Sequence, residues 1–187
     1  MANRYNAELK DVLYKVIQEI CIIEIDGKVE KMGKKKKICL IANGGGHYEQ
    51  IRQLKEVYDK YDCFYVVMKT DATKNAKEKT HFIIENTHSN EFIFLLRSII
   101  ILFQSLYIIL KEKPDVIIST GAGATVPLCV LAKKVFKKKL IFIESFAKRE
   151  SPTKTGLKMY EMADLFIVQW DSMLKFYPDA VVGGWIY

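Results

Sequence analysis

Two glycine-rich turns are the first candidates for chemistry in this sequence. Asn43-Gly44-Gly45-Gly46-His47 follows the apolar run Ile38–Ala42, and Thr120-Gly121-Ala122-Gly123-Ala124 follows Val116–Ser119. Glycine lets backbone approach a ligand closely, and a helix that starts at such a turn presents unpaired N–H groups. Neither turn is a GxGxxG with an acidic residue on the next strand, and neither is a Walker A loop, which disfavours dinucleotide and ATP binding. Each taken alone is equally a tight turn without a ligand. His47 opens the helix after the first turn. The positive helix end disfavours imidazolium, so a neutral ring there can accept a proton, with capping or packing as the competing reading. Glu144 ends the apolar run Leu140–Ile143. A carboxylate at the end of a buried strand binds a helix terminus, a hydroxyl or a cation, and a purely structural hydrogen-bonding role competes with contact to a substrate.

Positioning these groups requires a scaffold that aligns strand ends. The chain has 187 residues, half of them hydrophobic and 27% charged, which suits one globular domain with an appendage and excludes disordered, collagen-like and disulfide-scaffold classes. Cys21, Cys39, Cys63 and Cys129 are scattered inside apolar runs without CxxC spacing, and His47, His81 and His88 add no zinc spacing to them. They read as small buried hydrophobes of a reducing compartment, so no metal and no cofactor is expected. The first twenty residues carry charges throughout and lack a signal-peptide core, which points to the cytoplasm. The net charge of +7 is concentrated in Lys34–Lys37 and in Lys133, Lys134, Lys137, Lys138 and Lys139. No nucleic-acid-recognition pattern accompanies it, leaving a solvated basic face or an anionic lipid surface.

Residues 5–20 have the apolar spacing of an amphipathic helix, and Asp26-Gly27 between short β-prone runs signals a hairpin or a loop. Gly33–Lys37 then separates this preface, residues 1–35, from the main unit, residues 36–187. From Ile38 onward short, nearly all-apolar strands (38–42, 63–68, 81–84, 116–119, 140–143, 165–168) alternate with helices (to 58, 92–110, to 135, 155–162). That pattern predicts an α/β, Rossmann-like domain: a mostly parallel sheet with helices on both faces. Ligands of such sheets bind at the carboxyl ends of the strands, where both glycine turns fall. The helix 92–110 has polar residues with period seven and is apolar around the rest, so it needs a cover: the protein core, a partner subunit or the lipid interface. Arg97 and Gln104 argue against a clean transmembrane span.

The order of these motifs carries a family resemblance. The glycine loop with His47, then Pro114-Asp115 through Gly121-Ala122-Gly123 to Pro127, then Ile143-Glu144-Ser145, then Ser151-Pro152 to Gly156, resembles the N-terminal half of GT-B glycosyltransferases. More narrowly it resembles the Alg-type and PssD-type acceptor-binding subunits of split transferases in lipid-linked oligosaccharide, capsule and exopolysaccharide synthesis, and it is similar to the N-terminal half of the peptidoglycan GlcNAc transferase. Ala163-Asp164 to Trp170 and Gly183-Gly184-Trp185 fit the bacterial branch. The resemblance covers about residues 36–187. It implies a UDP-sugar-dependent, inverting hexosyltransferase made of two chains and inactive as this chain alone. The other chain is a small UDP-sugar-binding subunit, while this one holds a lipid-linked sugar acceptor and sits peripherally on the cytoplasmic face of the membrane, without nucleic acid. His47 then corresponds to the general base and Glu144 to an orienting or acceptor-contacting group. Asn43, Gly44, Gly45, Gly46, Thr120, Gly121, Ala122, Gly123 and Ser145 would bind the acceptor, and Trp170, Gly183, Gly184 and Trp185 would meet the partner. A non-catalytic adaptor that recruits and activates the donor-binding subunit is the alternative.

Overall fold

The computed structural model describes residues 11–12, 15, 24–25, 28–29, 36–86 and 90–186. The helix expected over 5–20 lies almost wholly outside the described residues, as do His88, Cys21, Lys34 and Lys35. Strands β1 (Glu24–Ile25) and β2 (Lys28–Val29) pair antiparallel across Asp26-Gly27, as the hairpin signal anticipates.

The main sheet has seven strands: β3 (Lys37–Ala42), β4 (Asp62–Met68), β5 (Thr80–Ile83), β6 (Val116–Ser119), β7 (Lys139–Ile143), β8 (Leu165–Val168) and β9 (Val181–Val182). Their order is β5-β4-β3-β6-β7-β8-β9, and every neighbouring pair is parallel. Alternate residues of β3 feed two cores. Cys39 and Ile41 join one with Phe64, Phe142, Leu128 and Met159, while Ile38, Leu40 and Ala42 join the other with Tyr48, Ile51 and Val57. Burial on both faces is why the strands read as unbroken apolar runs rather than alternating ones.

Helices α1 (Gly46–Arg52) and α2 (Lys55–Lys60) cover the second core. The single helix expected from His47 to Tyr58 is broken because the Gln53 and Leu54 amides donate to the Gln50 and Ile51 carbonyls, a tighter turn that buries Leu54. On the other face lie α3 (Glu91–Glu112), α4 (Val126–Val130) and α5 (Lys154–Tyr160). A 3₁₀ turn (Gly123–Thr125) precedes α4 and a π-helical turn (Leu131–Val135) follows it, together filling the helix expected there. The Asn90 side chain caps α3 by accepting from the Phe92 and Ile93 amides, and Lys113 in the left-handed region followed by Pro114 stops it.

Helix α3 is turned with its polar stripe inward. The Ile84 amide donates to Gln104 Oε1, Asn86 Nδ2 to Ser98 Oγ, and Arg97 to the Glu85 carbonyl, so the polar positions stitch the helix to the chain after β5. The outward face carries Phe92, Leu95, Phe103 and Tyr107, each more than half exposed. By length and composition the helix could cross a membrane. Its Ile101, Ile108 and Ile109 nevertheless pack on the sheet, so only one flank is free. At its end, Glu112 accepts from Lys37 and Lys79 at 2.6 Å each and from His81 at 2.9 Å, tying α3 to the amino edge of the sheet. Burial opposes this charge, but the three hydrogen bonds outweigh it and bring the carboxyl down to about 2.

Candidate functional site

Parallel pairing brings the carboxyl ends of β3 and β6 side by side, with Ile41 opposite Ser119. Strand order reverses between these two: β4 and β5 extend to one side of β3, and β7 to β9 to the other side of β6. In open parallel sheets such a switch point leaves a crevice in which ligands bind. Both glycine turns leave the sheet there, and they are bonded to one another. The Asn43 amide donates to the Gly121 carbonyl at 3.2 Å. Thr120 Oγ1 donates to the His47 carbonyl at 3.0 Å, and His47 Nδ1 lies 2.7 Å from the Thr120 carbonyl oxygen. A carbonyl can only accept, so Nδ1 carries the hydrogen and Nε2 is the nitrogen left to take a proton. A Cβ at Gly121 would stand 3.6 Å from the His47 ring, and with φ of 91° this position also favours glycine. Gly45, at φ 67°, makes the turn into α1.

The expected acceptor-binding residues therefore divide. Asn43, Gly44, Gly45, Gly46, Ala122 and Gly123 lie at or near the surface of the crevice turns. Thr120 and Gly121 are buried; instead of facing an acceptor, they hold and flank His47, which corrects the expectation for those two. Ser145 is half-buried beside Glu144, to whose Oε1 its amide donates.

Glu144 requires a larger correction. It is 1% exposed, and its carboxylate accepts from the Ser145 amide (2.8 Å), Thr153 Oγ1 (3.1 Å to either oxygen) and the Tyr177 hydroxyl (2.6 Å). A Cβ on Gly156 would come within van der Waals overlap of Oε2, so α5 is packed against the carboxylate. Burial and the neighbouring carboxylate push the Tyr177 phenol well above its usual range, leaving it a firm donor. With its oxygens engaged inside the fold, Glu144 neither orients His47 nor meets an acceptor. It joins β7, α5 and the segment before β9. The Glu144 carbonyl also accepts from Gln169 Nε2, whose Oε1 accepts from the Ile186 amide. Sequence reasoning missed Tyr177 and Gln169 because they reach Glu144 from 33 and 25 residues away; Thr153, in the Ser151-Pro152-Thr153 turn, was the legible part.

Near the ends of β8 and β9, Phe146, Trp170 and Trp185 form an aromatic cluster with ring centroids 5.0–5.8 Å apart, and the Arg149 guanidinium lies 3.8 Å over Trp170. Trp170 Nε1 donates to the Phe146 carbonyl. Gly183 and Gly184, just after β9, are buried, with the Gly183 amide donating to the Val168 carbonyl. Gly184, at φ 71°, holds a backbone conformation that favours glycine. Among the described residues, no group of three or more His, Cys, Asp or Glu is placed to hold a metal ion. Burial pushes the Cys63 and Cys129 thiols up to about 12, which disfavours the reactive thiolate.

Comparison with known proteins places this geometry in context. The model of the family described as "Oligosaccharide biosynthesis protein Alg14 like" matches residues 91–186. The chain is 26% identical over 181 residues to the UDP-N-acetylglucosamine transferase subunit ALG14 of Mus musculus, covering 79% of this chain and 82% of that protein. It is 36% identical over 93 residues to the corresponding subunit of Schizosaccharomyces pombe, covering 48% and 42%. The matched part of the human subunit is 37% of its length. Among solved structures, Acinetobacter baumannii MurG superposes with a TM-score of 0.59 at 15% identity, covering 73% of this chain and 42% of that one. A UDP-N-acetylglucosamine 2-epimerase from Rickettsia bellii gives 0.59 at 13%, covering 77% and 41%. Both have the GT-B fold, so the described domain is a Rossmann-like unit of the GT-B kind, spanning about two-fifths of either enzyme.

Proposed function

Because the chain belongs to the Alg14-like family of oligosaccharide biosynthesis proteins, we propose that it is the acceptor-binding, membrane-associating subunit of a two-component, inverting glycosyltransferase. The observation that carries this reading is His47, locked by Thr120 at the sheet's switch point with Nε2 left to accept a proton. An inverting transfer needs one group that takes the proton of the acceptor hydroxyl as it attacks the anomeric carbon, and an imidazole held in one orientation meets that need. Relatives named as subunits of a UDP-N-acetylglucosamine transferase make UDP-N-acetylglucosamine the proposed donor. A second, UDP-sugar-binding chain would supply the donor site. The aromatic cluster of Phe146, Trp170 and Trp185 with Arg149 has the composition of an interface hot spot and is the proposed contact with that chain.

The acceptor in this reading is lipid-linked, and the outward apolar face of α3 is the feature that suits it. With one flank fixed to the sheet, the helix would lie in the cytoplasmic lipid interface rather than cross the bilayer. Capsule or exopolysaccharide assembly would use the same arrangement with other sugars. Residues 36–187 would form the working unit and 1–35 an auxiliary membrane contact.

One observation favours a second reading. Glu144 is consumed by the fold, so His47 is the only proposed chemical group on this chain, and a non-catalytic adaptor for the donor subunit needs none. The test is co-expression with a UDP-sugar-binding partner, followed by transfer from UDP-N-acetylglucosamine and other UDP-sugars to a lipid-linked acceptor. The pair should transfer and this chain alone should not. Robust transfer by the single chain would overturn the two-component reading.

A further inference from the structure

A cavity of about 300 Å³ lies between α3, the turn after β6 and α5. Its walls include Asn86, Phe94, Gly123, Pro127, Lys154 and Lys158. None of the residues that lock His47 lines it, yet the Gly121–Gly123 turn borders both. We propose that this cavity binds the phosphate group of a membrane-borne amphiphile, with Lys154 and Lys158 as the phosphate contacts and the hydrocarbon tail lying along the outward face of α3. The proposal deepens the acceptor-binding reading and rests on it.

Three observations converge. First, Lys154 and Lys158 stand four residues apart on α5, so their like charges face one another on a helix surface that gains nothing from the pairing. The ion pairs among the described residues engage Lys37, Arg52, Lys74, Lys79, His81, Lys133 and Lys139, and neither cavity lysine is in one. An anion between them would be held by charge-assisted hydrogen bonds from both. Second, Gly123 has neither a positive φ nor a close neighbour, and a Cβ there would meet nothing within 4 Å. Packing does not demand glycine at this point of the wall; the missing side chain leaves room. Third, Asn86 donates to Ser98 through Nδ2 while its buried Oδ1 has no partner, which suits a hydroxyl donated by a polar ligand. Phe94 lines the cavity from α3, and Phe92, Leu95 and Phe103 continue the apolar surface outward. A ligand that fills both regions must carry an anionic head and an apolar chain. A glycosylated polyprenyl diphosphate and a phospholipid headgroup share that chemistry.

The test measures binding of farnesyl diphosphate to the full-length chain by calorimetry. Farnesol is the tail without charge, inorganic diphosphate the charge without tail, and dioctanoyl phosphatidate the phospholipid source. Farnesyl diphosphate should bind with at least tenfold higher affinity than farnesol or inorganic diphosphate. The double variant Lys154→Gln/Lys158→Gln should lose at least about tenfold, since each lysine supplies a charged contact. Gly123→Leu should weaken binding by occupying the space. Both lysines are exposed, so melting temperature verifies that the double variant is folded. Lysine-dependent binding of farnesyl diphosphate over phosphatidate assigns the site to a prenyl-linked ligand, and equal lysine-dependent binding of both assigns it to the phosphate head they share. Unchanged affinity in the double variant overturns the proposal, as does farnesol binding as tightly as the diphosphate. Transfer by the reconstituted pair separates the two levels. Wild-type transfer that the double variant retains in full would defeat the cavity but spare the acceptor-subunit reading. Lysine-dependent binding without transfer in any pairing would do the reverse.

Discussion

His47 and Thr120 hold each other twice: the ring Nδ1 lies 2.7 Å from the Thr120 carbonyl, and the Thr120 hydroxyl donates back to the His47 carbonyl at 3.0 Å. The residues are 73 apart in sequence and sit on turns leaving adjacent parallel strands. This reciprocal pair fixes both the ring's orientation and its tautomer without a carboxylate. A single-domain sheet thereby presents one defined basic nitrogen at its switch point, where the geometry of the fold leaves space for a ligand.

Glu144→Gln should destabilise the fold rather than slow chemistry. The amide would replace a charged acceptor of the Tyr177 and Thr153 hydroxyls and turn a donor toward donors. Loss of hydrogen bonds to a buried charged group costs about 1.5–3 kcal/mol, visible as a lowered melting temperature. The folded fraction should retain its transfer rate in the reconstituted pair. A rate loss of a hundredfold at unchanged stability would return Glu144 to the reaction.

Acid should reveal the Glu112 cluster. The Glu112 carboxyl titrates near 2 in the folded chain, against an ordinary value of 4.5. The unfolded chain therefore binds the proton first as pH falls, so stability is present above about 4.5 and is lost progressively toward pH 2. Glu112→Gln should be less stable at neutral pH and show a shallower loss of stability across that window in urea titrations. Equal slopes for the two proteins would mean that the contacts from Lys37, Lys79 and His81 contribute nothing.

Helix α3 should bind membranes through residues that do not hold the fold together. Phe92 and Phe103 are 68% and 65% exposed, so Phe92→Asp/Phe103→Asp should change folding stability by no more than about 0.5 kcal/mol per site. The same change should markedly reduce co-sedimentation with anionic vesicles, since it removes apolar insertion and adds like charge. Full retention of binding would place the membrane contact elsewhere on the chain.

These cases also show what the sequence made legible. Six of the seven strands of the main sheet were readable, most of them because burial on both faces makes a short apolar run, with the half-buried edge strand β5 the weakest of the six; β9 was not, since two valines between turns carry no period. The seven-residue recurrence of polar positions in α3 marked a stripe, but not that Arg97, Ser98 and Gln104 would face inward to meet residues 84–86. Composition cannot say which side of an amphipathic helix finds protein. His47 was legible from its place after the glycines, whereas its restraint by Thr120 depends on the β3–β6 pairing. Glu144 stands out in the sequence as a charge at the end of a buried strand. Its role was decided by Tyr177, Thr153 and the close approach of Gly156, which only the folded chain assembles.

The most direct test of the central claim is the single-turnover transfer rate of the reconstituted two-subunit complex carrying His47→Ala. A positioned general base contributes about 10²–10⁴-fold, so the rate should fall by that factor. Partner co-purification and melting temperature should stay close to wild type, because His47 is only partly buried and its backbone bonds remain. A complex that keeps more than about a third of the wild-type rate, far outside the range expected for loss of a general base, would show that the proton goes elsewhere and that His47 serves only to join the two turns.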